Sequence, residues 1–223
     1  MSSQRNSKID FIGIGSVKSG STWMVECLDE HSQILLSPSG KPRRELYFFS
    51  TSFGKGMLKQ MPSNFQKGLS WYHDQFPKPQ EGKVRGEFCN AYLTDENAPQ
   101  RIKDYNPKIK LIAILRNPAK MMYSLYWWLK GTVDIDVPST FDEFIKEGKY
   151  LYKGEYAKYL KRYYKLFPQE QIKIFILDEI KSDPEKVVTE LYEFLEVDAS
   201  FKPSILGKKI NESIAHKSKF LKN

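Results

Sequence analysis

Cysteine is scarce in this 223-residue chain, with Cys27 and Cys89 the only two. They fall in patterns that read as a helix and a strand end, so neither a disulfide framework nor a metal cluster is expected, and both should be small core residues. Long hydrophobic runs are missing as well. No apolar stretch approaches the length of a bilayer span, and the opening MSSQRNSKID is polar where a signal peptide would carry its hydrophobic region. The expectation is a cytoplasmic protein. Internal repeats and low-complexity linkers are absent too. What is present is the composition of a folded domain, 40% hydrophobic and 14% aromatic, with a well-charged surface. The length fits one α/β domain over residues 1–223, large enough to bury a core.

The formal net charge of +8 is unevenly spread. From Phe201 onward six lysines face one acid, Glu212, so about +5 sits in the last tenth of the chain as a short basic tail. Such a tail is either a solvated end or a source of one or two lysines that close over an anionic ligand. Nucleic acid is not the expected partner, because no helix or sheet pattern gathers arginine and aromatics on one face.

Hydrophobic periodicity gives a repeated strand-then-helix order. Ile9 to Gly15 reads as a strand and Ser21 to Glu30 as a helix, with Trp23, Cys27 and Leu28 at helical spacing. Ile109 to Leu115 is a β-branched run suited to a strand buried on both faces, followed by Asn117 and Pro118 as cap and first turn of a helix to about Trp128. Ile172 to Leu177 is a third such strand, with Asp183 and Pro184 opening a helix to about Leu195. Asp95 to Tyr105 and Tyr156 to Phe167 read as amphipathic helices, and Val84 to Phe88 as a further strand. This order predicts a P-loop-like three-layer α/β fold, a central parallel sheet flanked by helices. The segments after Gly15, Phe88 and Leu115 should then share a crevice at the strand carboxyl ends.

Gly15-Ser16-Val17-Lys18-Ser19-Gly20-Ser21-Thr22 joins the first strand to its helix, the setting in which backbone N–H groups cradle an anion. Against G-x-x-x-x-G-K-[ST], the glycines and Thr22 match, but Ser21 stands at the lysine position and the lysine has moved to Lys18. A magnesium-dependent NTPase also needs an acid at the end of a neighbouring strand, where this chain has Arg116. Both departures suit a transferred group of little charge, sulfuryl rather than phosphoryl. An ordinary strand-to-helix turn is the bland alternative.

Lys18-Ser19-Gly20-Ser21-Thr22-Trp23 resembles the 5′-phosphosulfate loop of sulfotransferases that use 3′-phosphoadenosine-5′-phosphosulfate (PAPS). Arg116-Asn117-Pro118, with Ser124 eight residues after the arginine, resembles the 3′-phosphate element of that family. Arg44-Glu45-Leu46-Tyr47-Phe48-Phe49 is similar to the segment bearing the catalytic glutamate of heparan-sulfate-type and bacterial O-sulfotransferases. Gly86-Glu87-Phe88-Cys89-Asn90-Ala91-Tyr92-Leu93 follows a segment usually seen as G-E-x-[ST]-P-x-Y. Gly154-Glu155-Tyr156 and Phe167-Pro168 match a helix start and a later F-P, so the likeness runs from Asp10 to about Phe220.

The resemblance implies PAPS as co-substrate, 3′-phosphoadenosine-5′-phosphate (PAP) as product and no metal. It makes Lys18 the catalytic cation at the leaving phosphate and Glu45 the general base toward an acceptor hydroxyl, on a carbohydrate or another aliphatic alcohol. Ser19, Gly20, Ser21 and Thr22 would hold the 5′-phosphate, Arg116 and Ser124 the 3′-phosphate, and Trp23 the adenine. Lys217 or Lys219 would stand in for a C-terminal basic loop. Alternatives stay open residue by residue. Trp23 fits the core, Ser124 a helix-interior serine bonded to its own backbone, and Glu45 a surface ion pair with Arg43 or Arg44. His31 and His73 are competing bases, but the place of His31 after the first helix fits a helix-end role better. Glu87 would orient the acceptor or the loop, or pair with Arg85 or Lys18. Tyr47, Phe48, Phe49, Trp71, Tyr72, Trp127 and Trp128 would line an acceptor platform or belong to the core. Phe88, where heparan-type members often carry lysine, and the shortened region after the final strand count against a heparan acceptor. A P-loop kinase or NTPase, and a nucleotide-binding module without turnover, are the rival functions.

Overall fold

The computed structural model describes residues 8–37, 45–50, 64–131 and 136–207. Five strands form one parallel sheet: β1 (Phe11–Gly15), β2 (Ile34–Leu36), β3 (Val84–Phe88), β4 (Lys110–Leu115) and β5 (Ile172–Ile176), in the spatial order β2-β3-β1-β4-β5. Every residue of central β1 is buried, as its uninterrupted apolar sequence requires. The expected central parallel sheet flanked by helices is therefore present.

Side-chain alternation sends the sheet into two cores. Ile12, Ile14, Leu111 and Ala113 face one way, packing with Tyr72 of α2 (Gly68–His73), Ile102 of α3 (Ala98–Tyr105) and Tyr163 of α6 (Tyr156–Tyr164). Phe11, Ile112, Ile114 and Phe175 face the other way, against Met24 and Leu28 of α1 (Ser21–Glu30) and Leu191 and Tyr192 of α8 (Pro184–Leu195). A smaller cluster joins α4 (Pro118–Lys130) to α5 (Phe141–Glu147) through Met121, Leu125, Leu129 and Phe144. The short α7 (Leu177–Ser182) follows β5 directly. Cys27 and Cys89 are buried free thiols.

The β1–β3 pair is locked by two reciprocal phenylalanine-over-glycine contacts. Phe11 is registered with Gly86 and Gly13 with Phe88. A Cβ on Gly86 would come within 2.5 Å of the Phe11 ring, and one on Gly13 within 2.0 Å of the Phe88 ring. Phe88 is thus spent on sheet packing.

Helix starts follow the local chemistry. Asn117 accepts from the amides of Ala119 (3.0 Å) and Lys120 (3.2 Å), and Asp183 from that of Lys186 (3.0 Å), capping α4 and α8 where the sequence placed caps. α3 starts at Ala98, later than the periodicity suggested, because Asp95 Oδ1 accepts from the amides of Asn97 (2.8 Å) and Ala98 (3.0 Å) in a turn ahead of the helix. α6 stops at Tyr164, short of Phe167. The short β2, α2, α5 and α7 carry too few periods for sequence alone to separate them from loops. Among the described residues no helix is long and apolar enough to cross a membrane.

Candidate active site

β3, β1 and β4 are neighbours, so their carboxyl ends deliver three loops to one place. The loops are stapled to the sheet: Cys89 N donates to Gly13 O (2.8 Å), Leu93 N to Ile14 O (2.8 Å) and Ser16 N to Ile114 O (2.7 Å). This is the crevice expected from strand order.

The loop after β1 is held from beneath. Ser16 and Ser19 are buried, their hydroxyls 2.6 Å apart, and Ser16 Oγ also donates to Ile114 O at 3.0 Å. Lys18 (φ 57°) and Gly20 (φ 92°) both take left-handed backbone, which for a residue with a Cβ costs about 1–2 kcal/mol. A Cβ on Gly20 would also meet Leu177 Cδ1 at 2.8 Å, so glycine alone fits there. Ser19 therefore serves the loop's internal hydrogen bonding, while Ser21 and Thr22 open α1.

Two cations meet over this loop. Arg116 Nη1 donates to Lys18 O at 3.0 Å, and Lys18 Nζ lies 5.5 Å from the centre of the Trp128 ring. Partial burial and the neighbouring Arg116 push the Lys18 ammonium pKa down, and burial does the same for Arg116. Partly desolvated cations are relieved by anions, so Lys18 and Arg116 favour anionic groups at this end of the sheet. Ser124 is buried in α4, at 4% exposure. Lys217 and Lys219 lie outside the described residues.

Glu45 reaches the same crevice from the segment 45–50. Asn90 Nδ2 donates to its Oε1 at 2.6 Å and the Asn90 amide to its Oε2 at 3.1 Å; Asn90 Nδ2 also lies 3.3 Å from Ser21 Oγ. Burial raises the Glu45 pKa above the ordinary carboxylate value, opposed by hydrogen bonds from Tyr47, Asn90 and Cys89. Lys153, in the turn before α6, is pushed down to about 8 by burial, and the Glu45 charge pulls against that shift. The proposed base thus has neutral donors on one side and, on the other, a lysine whose pKa burial brings down to about 8. Arg43 and Arg44, its alternative ion-pair partners, lie outside the described residues.

Glu87 belongs to the core beneath. It accepts from Tyr72 Oη at 2.6 Å and Tyr92 Oη at 3.1 Å, and burial raises it to about 7. Tyr92 Oη in turn accepts from the amides of Phe48 (2.9 Å) and Phe49 (3.3 Å), fastening the strip that carries Glu45. This corrects the expectation that Glu87 meets the acceptor or Lys18: its carboxyl is enclosed by tyrosines, and it supports the site from below.

Burial and hydrogen bonding bear on the alternatives left open for other residues. Trp23 is 4% exposed within the core of the α1 face, which supports a core tryptophan over an open stacking surface for adenine. His31 bonds Asp198 O (3.0 Å) through Nε2 and accepts the Gln33 amide (3.1 Å) at Nδ1, fixing the end of α1 rather than serving as a base. His73 bonds Tyr105 Oη at 3.1 Å within the core side of α2. Phe48, Phe49 and Tyr72 are core, whereas Trp127 and Trp128 are exposed on α4. Sequence reasoning missed Asn90 and Lys153. Lys153 stood beside the noted Gly154-Glu155-Tyr156, but only the fold brings that turn to Glu45.

A family model described as the sulfotransferase domain matches residues 8–222. The chain belongs to that family. Among curated proteins it is 30% identical over 203 residues to the human bifunctional heparan sulfate N-deacetylase/N-sulfotransferase 3, covering 84% of this chain and 22% of that protein. The mouse N-deacetylase/N-sulfotransferase 4 is also 30% identical, over 84% of this chain and again 22% of its own length. The chain thus spans about a fifth of the length of these curated relatives. Among solved structures, a sulfotransferase from Alicyclobacillus acidocaldarius superposes with a TM-score of 0.72 at 24% identity, over 92% of this chain and 87% of that one. A mouse sulfotransferase complexed with PAP gives a TM-score of 0.60 at 18% identity, over 90% of this chain and 62% of that one. These neighbours share the fold, and the family match favours a sulfotransferase enzyme over a P-loop kinase. In this sulfotransferase domain Glu45, Asn90 and Ser21 form one chain of hydrogen bonds at the strand ends, and Arg116 bonds the carbonyl of Lys18, three residues before Ser21 in the same loop.

Proposed function

We propose that this domain transfers the sulfuryl group of PAPS to a hydroxyl of a carbohydrate or another aliphatic alcohol, by in-line displacement. The observation that carries the proposal is the placement of a carboxylate and a cationic loop at the carboxyl ends of neighbouring strands, joined through Asn90. The loop fits a phosphosulfate: its turn is kept tight by Gly20, and Lys18 and the neighbouring Arg116 are partly desolvated cations.

Ser21, Thr22 and the backbone amides opening α1 hold the 5′-phosphate, and Arg116 with Ser124 the 3′-phosphate. Lys18 offsets the charge that grows on the leaving phosphate oxygen as the sulfur–oxygen bond to it breaks. Glu45 takes the acceptor proton as the acceptor oxygen bonds to sulfur. Lys153 keeps positive charge beside that carboxylate at neutral pH.

Calorimetric titration with PAP, beside ATP with Mg²⁺, tests the nucleotide half. PAP alone should bind, and Lys18→Ala or Arg116→Ala should each weaken it roughly 10- to 100-fold, the worth of a charge-assisted hydrogen bond. Binding of ATP with Mg²⁺ in place of PAP would overturn the proposal. The N-sulfotransferase relatives make an amino sugar the second acceptor class, so the acceptor screen should pair each sugar alcohol with its amino analogue.

A further inference from the structure

Asn90 is more than a loop residue next to the site. Its backbone is pinned on both sides, because Cys89 N and Leu93 N bond to Gly13 O and Ile14 O of β1. From that fixed position it holds Glu45 at two points, Nδ2 to Oε1 at 2.6 Å and N to Oε2 at 3.1 Å, which sets the rotation of the carboxylate plane. A carboxylate can only accept, so the amide must turn its nitrogen toward Glu45. Its second Nδ2 proton then goes to Ser21 Oγ at 3.3 Å. Asn90 Oδ1 is buried with no partner among the described residues, so the amide is bound through its nitrogen alone.

The consequence for Ser21 is directional. A hydroxyl has one proton, and when its oxygen accepts from Asn90 that proton is left to be donated outward, to an anion over the loop. Hydrogen bonds in such a chain polarise one another, so an anion on Ser21 strengthens the Asn90 contact, and the ionised Glu45 orients the amide that makes it. The segment pattern G-E-x-[ST]-P-x-Y has proline where this chain has Asn90. Proline could supply neither the backbone nor the side-chain donor.

We infer that Asn90 is a positioning residue that couples occupancy of the 5′-phosphate loop to the orientation of Glu45. This rests on the proposed function, in which Ser21 meets the phosphate and Glu45 is the base.

A double-mutant cycle on the full chain tests it, using PAP as the probe and calorimetry as the readout. Ser21→Ala and Asn90→Ala should each weaken PAP binding about five-fold, one neutral hydrogen bond. The double variant should be little weaker than Ser21→Ala, because both substitutions break one chain of contacts. Losses that multiply to about 25-fold, or an Asn90→Ala protein that binds PAP like wild type, would overturn the inference while leaving the nucleotide site standing. Failure of the wild-type chain to bind PAP would overturn both. A second readout separates positioning from loosened structure: Asn90→Ala and Asn90→Asp should move the acid limb of the turnover profile to higher pH, since Glu45 loses a donor to its charged form. A lower melting temperature with an unmoved acid limb would count against the inference.

Discussion

Glu45 and Glu87 are neighbouring carboxyls whose charges oppose each other, and burial raises both above the usual carboxylate range. Their surroundings give them different work. Glu87 is closed in by two tyrosine hydroxyls in the core and sits at about 7. Glu45 is held by Asn90 at the strand ends, beside the loop that carries Ser21. A raised carboxyl pKa alone therefore does not mark the base. In the proposed function, access to the crevice and a link to the anion loop set Glu45 apart.

Swapping each acid for its amide should separate them most widely. Glu45→Gln should lower turnover by on order of 10²- to 10⁴-fold, the usual worth of a general base, with PAP affinity kept within several-fold. Glu87→Gln should leave turnover within a few-fold, because glutamine still offers an oxygen to Tyr72 and Tyr92. Initial rates with an acceptor from the screen decide this, and equal losses for the two variants would erase the distinction.

Glu87 should instead appear in stability. Its folded-state value of about 7 lies above the ordinary 4.5, so between those pH values the folded chain holds a proton that the unfolded chain has released. Stability from this group is full below 4.5 and declines as pH rises to about 7. Glutamine removes the decline. Glu87→Gln should match wild type in acid and exceed it by about 3 kcal/mol above neutrality, measured by urea unfolding across pH.

Tyr92→Phe breaks the connection between the two acids. Its hydroxyl serves Glu87 and also accepts from the amides of Phe48 and Phe49, on the strip that begins at Glu45. Losing it should cost about 1–3 kcal/mol, because buried amides are left unpaired. Turnover should fall more than for Glu87→Gln, since the strip itself is freed.

The same contrast explains what could be read from the chain. The glycine loop from Gly15 to Thr22 was legible because local backbone geometry and spacing define it, and the strands at Ile109 and Ile172 because long apolar runs have one interpretation, whereas Arg116 and Ser124 were singled out by resemblance. Glu45 was legible only through resemblance, since its burial comes from contacts with Asn90, 45 positions away. Glu87 and Trp23 were left open between the crevice and the fold's interior, because a strand end or helix start fixes only the backbone, while the packing of Tyr72, Tyr92 and the α1 core decides where the side chain goes. His31 was legible as a helix-end residue from its place after Glu30. The three-residue β2 was not, because it has too little length for alternation to register.

Lys153 gives the smallest predicted effect and bears on Glu45 most directly. Burial brings its ammonium down to about 8, so it is charged at neutral pH and sheds its proton just above. Glu45 faces that lysine, so loss of the lysine charge changes the field at the proposed base. Turnover should therefore fall a few-fold as pH rises through about 8 and then level. Lys153→Arg keeps a cation throughout and should flatten the step, whereas Lys153→Met should sit at the lower level across the whole range. Glu87 does not share this dependence, because its value is set by burial against two tyrosines and the Glu45 charge. A step at pH 8 that survives in both variants would rule out Lys153 as its source and would leave Glu45 positioned by Asn90 alone.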